Sequence, residues 1–436
     1  IAMVQIAGEP FLNKKNIGQE DINDAKKTTL VCKDGARCFQ NGALPVGKDD
    51  LSSAASRQAF PAVIEGLTIQ CESERAVMIN GAGLFINGDD GVLDQSIKIR
   101  YTIIQGCNSE GSGDASLSSG GAAMFINRLT SILTMEHVLF QNNTASEFGG
   151  ALYMTQSVQI NIKSSTFQRN SASRGGAIAI SQMQLPITAG IFNAVFDSDT
   201  FSRNEATIVG GAVYIDFALA QVDKSTFDDN TAATHGGAIR ITSVELVMTD
   251  SRLVANHATN GGGGALDVLA SQALIQSTSF ERNHAFVGGG LRALYCKGRI
   301  ERSSFSENKL HKDASQGSPG GGAMYLGSEA EVDITEVTTY RNSGETEDSG
   351  GIGGDILVDD ANRIYITLSE FTASEASAGG GCVAVRNTLD FTVSKSVFYA
   401  CETPGKLGGG GLYVQFTRYR ELPRPQDIKL PRPTVE

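Results

Sequence analysis

Apolar and polar residues alternate in short runs along most of the chain, and the runs recur roughly every 26 residues. In each repeat, one run follows a pair of glycines and has an apolar residue at every second position. Successive side chains of a β-strand point to opposite faces, so these apolar residues are predicted to share an interior face. Examples are Leu152 and Met154, Ile178 and Ile180, Val213 and Ile215, and Ile239 and Ile241. A second alternating run, such as Val158 to Lys163, predicts another strand in each repeat.

Each repeat also carries an F-x-x-N motif ahead of the glycine pair. Degenerate copies start at Leu253, Phe371 and Phe398, and a copy at Tyr340 is shortened to Y-R-N. If like residues stack on like, the phenylalanines form a continuous internal column, and the asparagine amides bond from repeat to repeat at a turn that requires a left-handed backbone conformation. The phenylalanines are Phe140, Phe167, Phe201, Phe227, Phe280 and Phe305. The asparagines are Asn143, Asn170, Asn204, Asn230, Asn256, Asn283 and Asn308.

A repeat of this kind cannot bury its apolar face alone, so successive repeats are predicted to stack about 4.8 Å apart. The prediction is an all-β fold, a right-handed, single-stranded parallel β-helix of about 11–12 coils over residues 61–418. The hand follows from the preference of parallel crossovers. The glycines are expected to allow positive φ and close backbone approach at a corner. Residues 1–60 lack the pattern and predict an irregular N-terminal cap, whereas residues 419–436 repeat L-P-R-P and predict an extended, proline-rich linker or tail of a longer protein.

Outward positions should stack as well. Arg240, Asp267 and Arg292 occupy equivalent outward sites on three consecutive coils, which predicts a charge ladder. An aromatic column is predicted in the same outward position, and it either packs under a loop or partner domain or forms a platform for sugars. Its members are Phe85, Phe125, Tyr153, Tyr214, Tyr325 and Tyr413.

The composition narrows the class of protein. The 436 residues include 50 glycines and no tryptophan, which suits many short strands joined by tight turns. The net charge of −12 argues against nucleic acid or an anionic membrane surface as a partner, because either requires a basic surface. Since no run reaches the roughly 18 apolar residues that cross a bilayer, direct membrane insertion is not expected.

Cysteine positions offer two interpretations. Three local disulfides, Cys32–Cys38, Cys71–Cys107 and Cys382–Cys401, with Cys296 left over, would fit a secreted protein. The alternative is a reduced solenoid in which small apolar cysteines stack inside. One glycosylation sequon, at Asn142, falls at a turn from which a glycan could project.

Catalytic and metal-binding patterns are sparse. Polysaccharide cleavage on a stacked fold needs carboxylates from neighbouring coils in one groove, and Asp197 and Asp223 occupy equivalent positions, with Asp199 and Asp250 nearby. No compact Asp-Asp or Gly-His-Gly pattern accompanies them, so we expect no enzymatic activity. One acidic stretch could hold calcium, although it lacks a D-x-D-x-D loop, and no other cofactor is expected. Its candidate ligands are Glu345, Glu347, Asp348 and Asp355, with Asp359 and Asp360 beyond them.

Three histidines, His235, His257 and His284, fall at one corner of adjacent repeats. They would either stack on the surface, which is the commoner outcome, or share a transition metal. Most of the extra residues in the longer repeats lie at the corner between F-x-x-N and the glycines, where solenoids usually carry binding functions. These insertions are Ser109–Ser119, Leu310–Pro319, Ser343–Gly351 and Glu402–Leu407, and a further one, Gln184–Ala194, lies in the second-strand region.

The pairing of F-x-x-N with GGA[ILV] over about residues 64 to 415 resembles the repeat of the chlamydial polymorphic membrane proteins. The resemblance implies a surface-displayed β-helix of the pectin-lyase-like class, a fold that hosts adhesins, structural fibres and polysaccharide enzymes. We therefore expect a non-enzymatic extracellular or cell-surface structural or adhesive segment of a larger protein. The alternatives are a polysaccharide lyase or hydrolase and a glycan-binding module. Expected partners are other extracellular or surface proteins, including copies of this chain, and glycans.

Overall fold

The computed structural model describes residues 29–33, 39–40, 63–72, 81–87, 96–109, 120–184, 191–311, 320–345, 350–404 and 407–415. Within these residues every regular element is a β-strand, and every strand pairs in parallel with the equivalent strand of the neighbouring coil. Four parallel sheets result, which confirms the predicted all-β parallel β-helix. A complete coil runs through the four sheets in a fixed order, named here the glycine, middle, phenylalanine and corner sheets.

The strands of each sheet, in stacking order, have the following bounds. The glycine sheet contains Phe39–Gln40, Leu84–Asn87, Met124–Asn127, Leu152–Thr155, Ile178–Ser181, Val213–Asp216, Ile239–Thr242, Leu266–Leu269, Leu291–Leu294, Met324–Gly327, Ile356–Asp359, Val383–Arg386 and Leu412–Gln415. The middle sheet contains Val63–Glu65, Ile97–Arg100, Ile132–Glu136, Gln159–Lys163, Ala194–Asp197, Leu219–Asp223, Glu245–Thr249, Gln272–Gln276, Lys297–Glu301, Glu331–Thr335, Arg363–Thr367 and Asp390–Ser394. The phenylalanine sheet contains Thr29–Lys33, Thr68–Glu72, Ile103–Gln105, Leu139–Gln141, Thr166–Gln168, Thr200–Ser202, Thr226–Asp228, Arg252–Val254, Ser279–Glu281, Ser304–Ser306, Thr338–Tyr340, Glu370–Thr372 and Val397–Tyr399. The corner sheet contains Asn108–Ser109, Thr144–Ala145, Ser171–Arg174, Glu205–Val209, Thr231–Ala232, His257–Ala258, His284–Ala285, Lys309–Leu310, Ser343–Gly344 and Glu375–Ala376.

Parallel stacking begins within the range that the sequence assigned to the N-terminal cap. Thr29–Lys33 pairs with Thr68–Glu72, and Phe39–Gln40 pairs with the strand that begins at Leu84. The rest of residues 1–60 and the predicted tail at 419–436 lie outside the described residues.

The interior is built by the alternation that the sequence predicted. Leu152 and Met154 are buried inside the coil, and their partners Ile178 and Ile180 stack on them in register. The phenylalanine column is buried too, with ring centroids 4.5–5.0 Å apart between stacked neighbours. The column is not continuous as predicted, because Leu253 and Thr339 occupy two of its sites.

The assignment of Tyr340 to the phenylalanine column was wrong. Thr339 pairs with Phe305 and Phe371 and is buried, whereas Tyr340 faces outward with 42% of its surface exposed. The motif of this coil therefore has its full spacing, T-Y-R-N, and ends at Asn342. A small threonine in place of the aromatic residue hid this register in the sequence.

Each coil between residues 120 and 404 turns four corners, and a residue with a left-handed backbone stands at each corner. At three corners this residue is not glycine, as with Gln156 (φ 52°), Ser164 (φ 48°) and Arg169 (φ 53°). The predicted left-handed position of the ladder asparagines was wrong by one residue. The residue before each asparagine adopts this conformation, as Arg169 does before Asn170. The asparagine side chain is thereby free to point into the interior.

The fourth corner, before the glycine strand, requires two glycines for two different reasons. Gly236 has φ 65°, and a Cβ there would lie 2.3 Å from the carbonyl oxygen of Ile239. Gly237 has no positive φ, but a Cβ there would lie 2.0 Å from the carbonyl oxygen of Gly264 on the next coil. This confirms the predicted roles of positive φ and close backbone approach.

Replacement Gly237→Ala is expected to lower the free energy of unfolding by about 2 to 3 kcal/mol, because backbone atoms of two coils would have to separate. Urea denaturation followed by circular dichroism measures the loss. Gly350→Ala is the matched control, since a Cβ at Gly350 meets no atom within 4 Å. Equal stabilities of the two variants would contradict the close-approach explanation.

Two of the predicted disulfides are present. Cys71–Cys107 joins adjacent coils with Cα atoms 4.8 Å apart, and Cys382–Cys401 has Cα atoms 5.3 Å apart. Cys296 is buried and free, as predicted. The predicted Cys32–Cys38 pair depends on Cys38, which lies outside the described residues. Cys71, Cys107, Cys382 and Cys401 are therefore oxidised to disulfides and do not form a stack of reduced cysteines.

Candidate functional site

A ladder of buried asparagine side chains runs inside the solenoid along one corner. In a typical step, Asn204 donates from its backbone N and its Nδ2 to Oδ1 of Asn230, both at 3.0 Å. Its Nδ2 also donates to the carbonyl oxygen of Phe167 at 2.9 Å. Because the same three bonds recur from coil to coil, the prediction that the amides bond repeat to repeat is confirmed.

The ladder extends beyond the predicted asparagines, from Cys107 at one end to Ser374 at the other. At its first coil, the backbone N of Cys107 donates to Oδ1 of Asn143 at 3.0 Å. At its far end Asn342 adds one more step, and its backbone N donates to Oγ of Ser374 at 3.1 Å. Cys107 and Cys401 occupy the asparagine position of the motif in their own coils. A disulfide thus ties the first residue of the ladder covalently, and the second disulfide lies one coil beyond Ser374, the last residue of the ladder.

Asp355 joins this ladder from the glycine sheet, where most coils have alanine. Its Oδ1 accepts hydrogen bonds from Nδ2 of Asn342 at 2.8 Å and from Oγ of Ser374 at 2.7 Å. Its Oδ2 is buried without a hydrogen-bond partner. Burial raises the pKa of Asp355 to about 7 and outweighs those hydrogen bonds, which favours the protonated form of this carboxyl group below that pH.

The raised pKa predicts a stability that falls as the pH rises. The folded protein holds the Asp355 proton up to pH about 7, whereas the ordinary value is 3.8, so the folded state loses stability across that interval. Asp355→Asn keeps the acceptor oxygen and removes the charge. Relative to the wild type, this variant is expected to gain roughly 3 kcal/mol of stability between pH 5 and pH 9, because the wild type loses about 1.4 kcal/mol for each of the two pH units from 5 to 7. Urea denaturation at both pH values tests this, with exposed Asp250→Asn as the control; parallel pH profiles for wild type and Asp355→Asn would contradict it.

The predicted charge ladder is present and mostly buried. Asp267 has no exposed surface. Its carboxylate forms an ion pair with Arg240 on one side and another with Arg292 on the other, where Oδ1 lies 2.6 Å from Nε. Burial lowers the pKa of both arginines to about 10. The imidazole of His235 lies beside them, and burial first and these two arginines second lower its pKa to about 3. The cluster therefore links three consecutive coils through buried charged groups.

The aromatic column lies under the same corner segments. Phe125 and Tyr153 are buried, and Phe148, from the corner segment that precedes the glycines, stacks on Tyr153 at 4.9 Å. Packing under the chain's own loop therefore describes this part of the column, rather than an open platform for sugars. Tyr214, Tyr325 and Tyr413 are partly exposed.

The carboxylates proposed for catalysis stack on one another but do not form an open pair. Asp197 and Asp223 are register partners; Asp197 lies 3.4 Å from Nζ of Lys163, and Asp223 lies 2.5 Å from Nζ of Lys224. Burial raises the pKa of Asp223, but hydrogen bonds from Lys224 and Thr249 outweigh it, and the net pKa is lowered. Asp199 is buried, which raises its pKa to about 8, and it accepts a bond from the backbone N of Ser165 at 2.7 Å. Its carboxyl group is thus closed off from a polymeric substrate.

The predicted calcium ligands are not brought together in the described part of the chain. Asp355 points into the interior, whereas Glu345 lines a surface cleft of about 610 Å³ with Glu375 and Glu402. Glu347 and Asp348 lie outside the described residues. Asp359, further along, pairs with Arg386 at 2.7 Å. As the side chains of the described residues are placed, no group of three or more His, Cys, Asp or Glu residues is arranged to hold a metal ion.

The histidine trio differs from the predicted one. His257 and His284 are register partners in the corner sheet, but His235 packs beside Arg292 instead. His311 takes its place, with its Nε2 2.8 Å from Nε2 of His257. Burial, followed by the neighbouring histidines, lowers the pKa of His257 to about 4. Sequence spacing missed His311 because it lies three residues after its ladder asparagine rather than one.

The remaining site predictions concern the surface. Asn142 is exposed at a corner with φ 54°, so its sequon is accessible, and glycosylation stays a prediction. Most of the insertion residues predicted to carry binding functions lie outside the described ranges.

The described residues form a parallel β-helix of repeated coils, with a hydrogen-bonded asparagine ladder and an interrupted phenylalanine column. The family model for the Chlamydia polymorphic membrane protein (Chlamydia_PMP) repeat matches residues 137–155 and 224–242, and each match spans one F-x-x-N motif and the following glycine strand. This match confirms the resemblance stated from the motifs. No curated protein and no solved structure matches the chain. The described residues include no helix of the length and apolarity that crossing a membrane requires.

Proposed function

We propose that the chain is a non-enzymatic extracellular or cell-surface β-helix, one rigid structural or adhesive segment of a larger protein such as a wall, sheath or appendage component. The observation that carries the proposal is the in-register stacking of 13 strands in each of two sheets around an unbroken hydrogen-bonded ladder. At about 4.8 Å for each coil, such a stack extends roughly 58 Å. A solenoid of this kind offers a long, stiff surface for display.

Three features support an extracellular or surface location. Two disulfides, Cys71–Cys107 and Cys382–Cys401, are present, and structural disulfides are typical of oxidising compartments. Asn142 is exposed within its sequon. The Chlamydia polymorphic membrane protein repeat, which two segments of this chain match, belongs to a family that its name places at membranes.

The geometry of the carboxylates supports a non-enzymatic role. Asp223 is engaged by Lys224 and Thr249, and Asp199 is buried. A glycosidase requires one carboxyl group as an acid and another as a base or nucleophile, both open to the same groove. Partners of this segment are proposed to be other surface proteins, further copies of the chain, and glycans.

The location is tested by immunogold labelling of intact, unpermeabilised source cells with an antibody raised against this chain. Gold along a fibre, coat or appendage supports the proposal, and preabsorption of the antibody with the purified chain must abolish the label. Label that is absent from cells but present in the medium would favour a soluble, polysaccharide-active enzyme.

The enzymatic alternative has its own test. Purified chain is incubated with polysaccharides, and reducing or unsaturated sugar ends are measured over time. We expect no release. Release that is lost in Asp223→Ala but retained in the exposed control Asp229→Ala would overturn the non-enzymatic proposal. Saturable glycan binding without turnover would instead identify the chain as a glycan-binding module.

A further inference from the structure

Three imidazole rings from three consecutive coils meet at the corner sheet. His257 and His284 are register partners, and His311 follows on the next coil, two residues after Lys309, the register partner of His284. The ring centroids of His257 and His311 are 4.5 Å apart. The ring of His284 lies 6.2 Å from that of His257 and 6.4 Å from that of His311. Residues far apart in sequence thus form a compact cluster of nitrogen ligands.

The nitrogen atoms of two rings already point at each other. Nε2 of His257 lies 2.8 Å from Nε2 of His311, and the latter also lies 3.1 Å from the carbonyl oxygen of Ala258. Two imidazole nitrogens in such contact must share a proton, because one has to donate and the other to accept. A metal ion can replace a proton between two imidazole nitrogens when the rings separate slightly.

We propose that His257, His284 and His311 bind one divalent transition-metal ion, such as Zn²⁺, and so link three consecutive coils. Imidazole nitrogen is a preferred ligand of Zn²⁺, Cu²⁺ and Ni²⁺. Metal–nitrogen distances of about 2.0–2.1 Å place two tetrahedral nitrogen ligands roughly 3.3 Å apart and their ring centroids roughly 5 Å apart. The ring of His284 lies 6.2 and 6.4 Å from the other two, more than this value, so the three rings do not form a metal site as they are placed. Binding requires the ring of His284 to turn toward His257 and His311.

His284, whose ring lies furthest from the other two, is also the exposed member of the three. His284 is exposed, whereas His257 and His311 are half-buried and fixed by their mutual contact. Rotation of an exposed side chain between rotamers has a small cost. Water would complete the coordination sphere, since three protein ligands leave a position open.

Isothermal titration of ZnCl₂ into the full 436-residue chain tests the proposal. We expect one saturable Zn²⁺ site, weakened at least about tenfold in each of His257→Ala, His284→Ala and His311→Ala, since loss of a ligand costs at least as much as loss of an outer partner. His137→Ala is the matched control, because His137 is an exposed histidine that stacks on Tyr101 away from the cluster. Zn²⁺ should also raise the melting temperature of the wild type and of His137→Ala, but not of the three variants.

Circular dichroism establishes that each variant is folded, and His284→Gln repeats the test with a side chain closer in size. The absence of saturable binding to the wild type would overturn the proposal. An equal loss in His137→Ala, or undiminished binding in both His284 variants, would overturn it as well, because the metal would then be held elsewhere.

Discussion

Asn230→Ala is expected to lower the free energy of unfolding by about 4 kcal/mol, at about 1 kcal/mol for each of four lost hydrogen bonds. The Asn230 side chain accepts from the backbone N and the Nδ2 of Asn204. It donates to the carbonyl oxygen of Phe201 and to Oδ1 of Asn256, both at 3.0 Å. All of these bonds are buried, so the donors and acceptors that lose their partner cannot form hydrogen bonds with water instead.

Urea denaturation measures the global effect, and hydrogen exchange measures the local one. The amide of Asn204 loses its acceptor in the variant, so its exchange is expected to accelerate more than that of amides several coils away. Asn260→Ala is the matched control, because Asn260 is exposed at a neighbouring corner, and surface substitutions change stability by about 0.5 kcal/mol or less. A loss in Asn230→Ala as small as that of the control would show that the ladder does not stabilise the stack.

Asp267→Ala is expected to cost about 3 to 5 kcal/mol, the usual penalty for breaking a buried ion pair from one side. Asp267 has no exposed surface and is the shared partner of Arg240 and Arg292. Without it, two arginines on alternate coils would face each other with their charges uncompensated. Their pKa values, already lowered to about 10 by burial, indicate that water solvates them poorly.

The triple variant Arg240→Met, Asp267→Leu, Arg292→Met is expected to recover most of that loss, because well-packed apolar side chains often replace a buried ion network without cost. Glu281→Ala is the control for an ion pair that also joins neighbouring coils but is exposed. Oε2 of Glu281 lies 2.7 Å from Nη2 of Arg252, whose side chain is half-exposed. Such exposed pairs contribute about 0 to 1 kcal/mol to stability. If Asp267→Ala and Glu281→Ala lost the same stability, burial would not be what makes the Asp267 cluster strong.

The regular part of the fold could be predicted because a solenoid repeats its contacts. The alternation of Leu152 and Met154 placed them in the interior, and the spacing of Arg240, Asp267 and Arg292 placed them on one another. Coils in register bring residues of equal motif position together, so sequence alignment of the repeats is equivalent to contact prediction.

Predictions failed where a residue departed from the motif or where a contact crossed from one motif position to another. Thr339 replaced the aromatic residue and hid the true register, so Tyr340 was assigned to the wrong face. Asp355 was predicted as a surface calcium ligand, but its glycine-strand position faces the asparagine ladder. His311, and not His235, completes the histidine cluster, whereas His235 lies beside Arg292. The spacing of residues along the sequence does not show how far a side chain reaches across coils.

The sequence by itself determined the repeat, the inward faces and the existence of the ladders, since each follows from residues that recur at one period. The structure decided between disulfides and reduced cysteines at Cys71, Cys107, Cys382 and Cys401. Only the tertiary structure showed that the left-handed conformation falls on the residue before each asparagine. It also showed how the corner segments cover the aromatic column. It also decided that Asp355 is a buried acid and that three histidines share one corner. These features depend on the direction of individual side chains at the corners, where the chain leaves the period-two geometry that makes strands predictable.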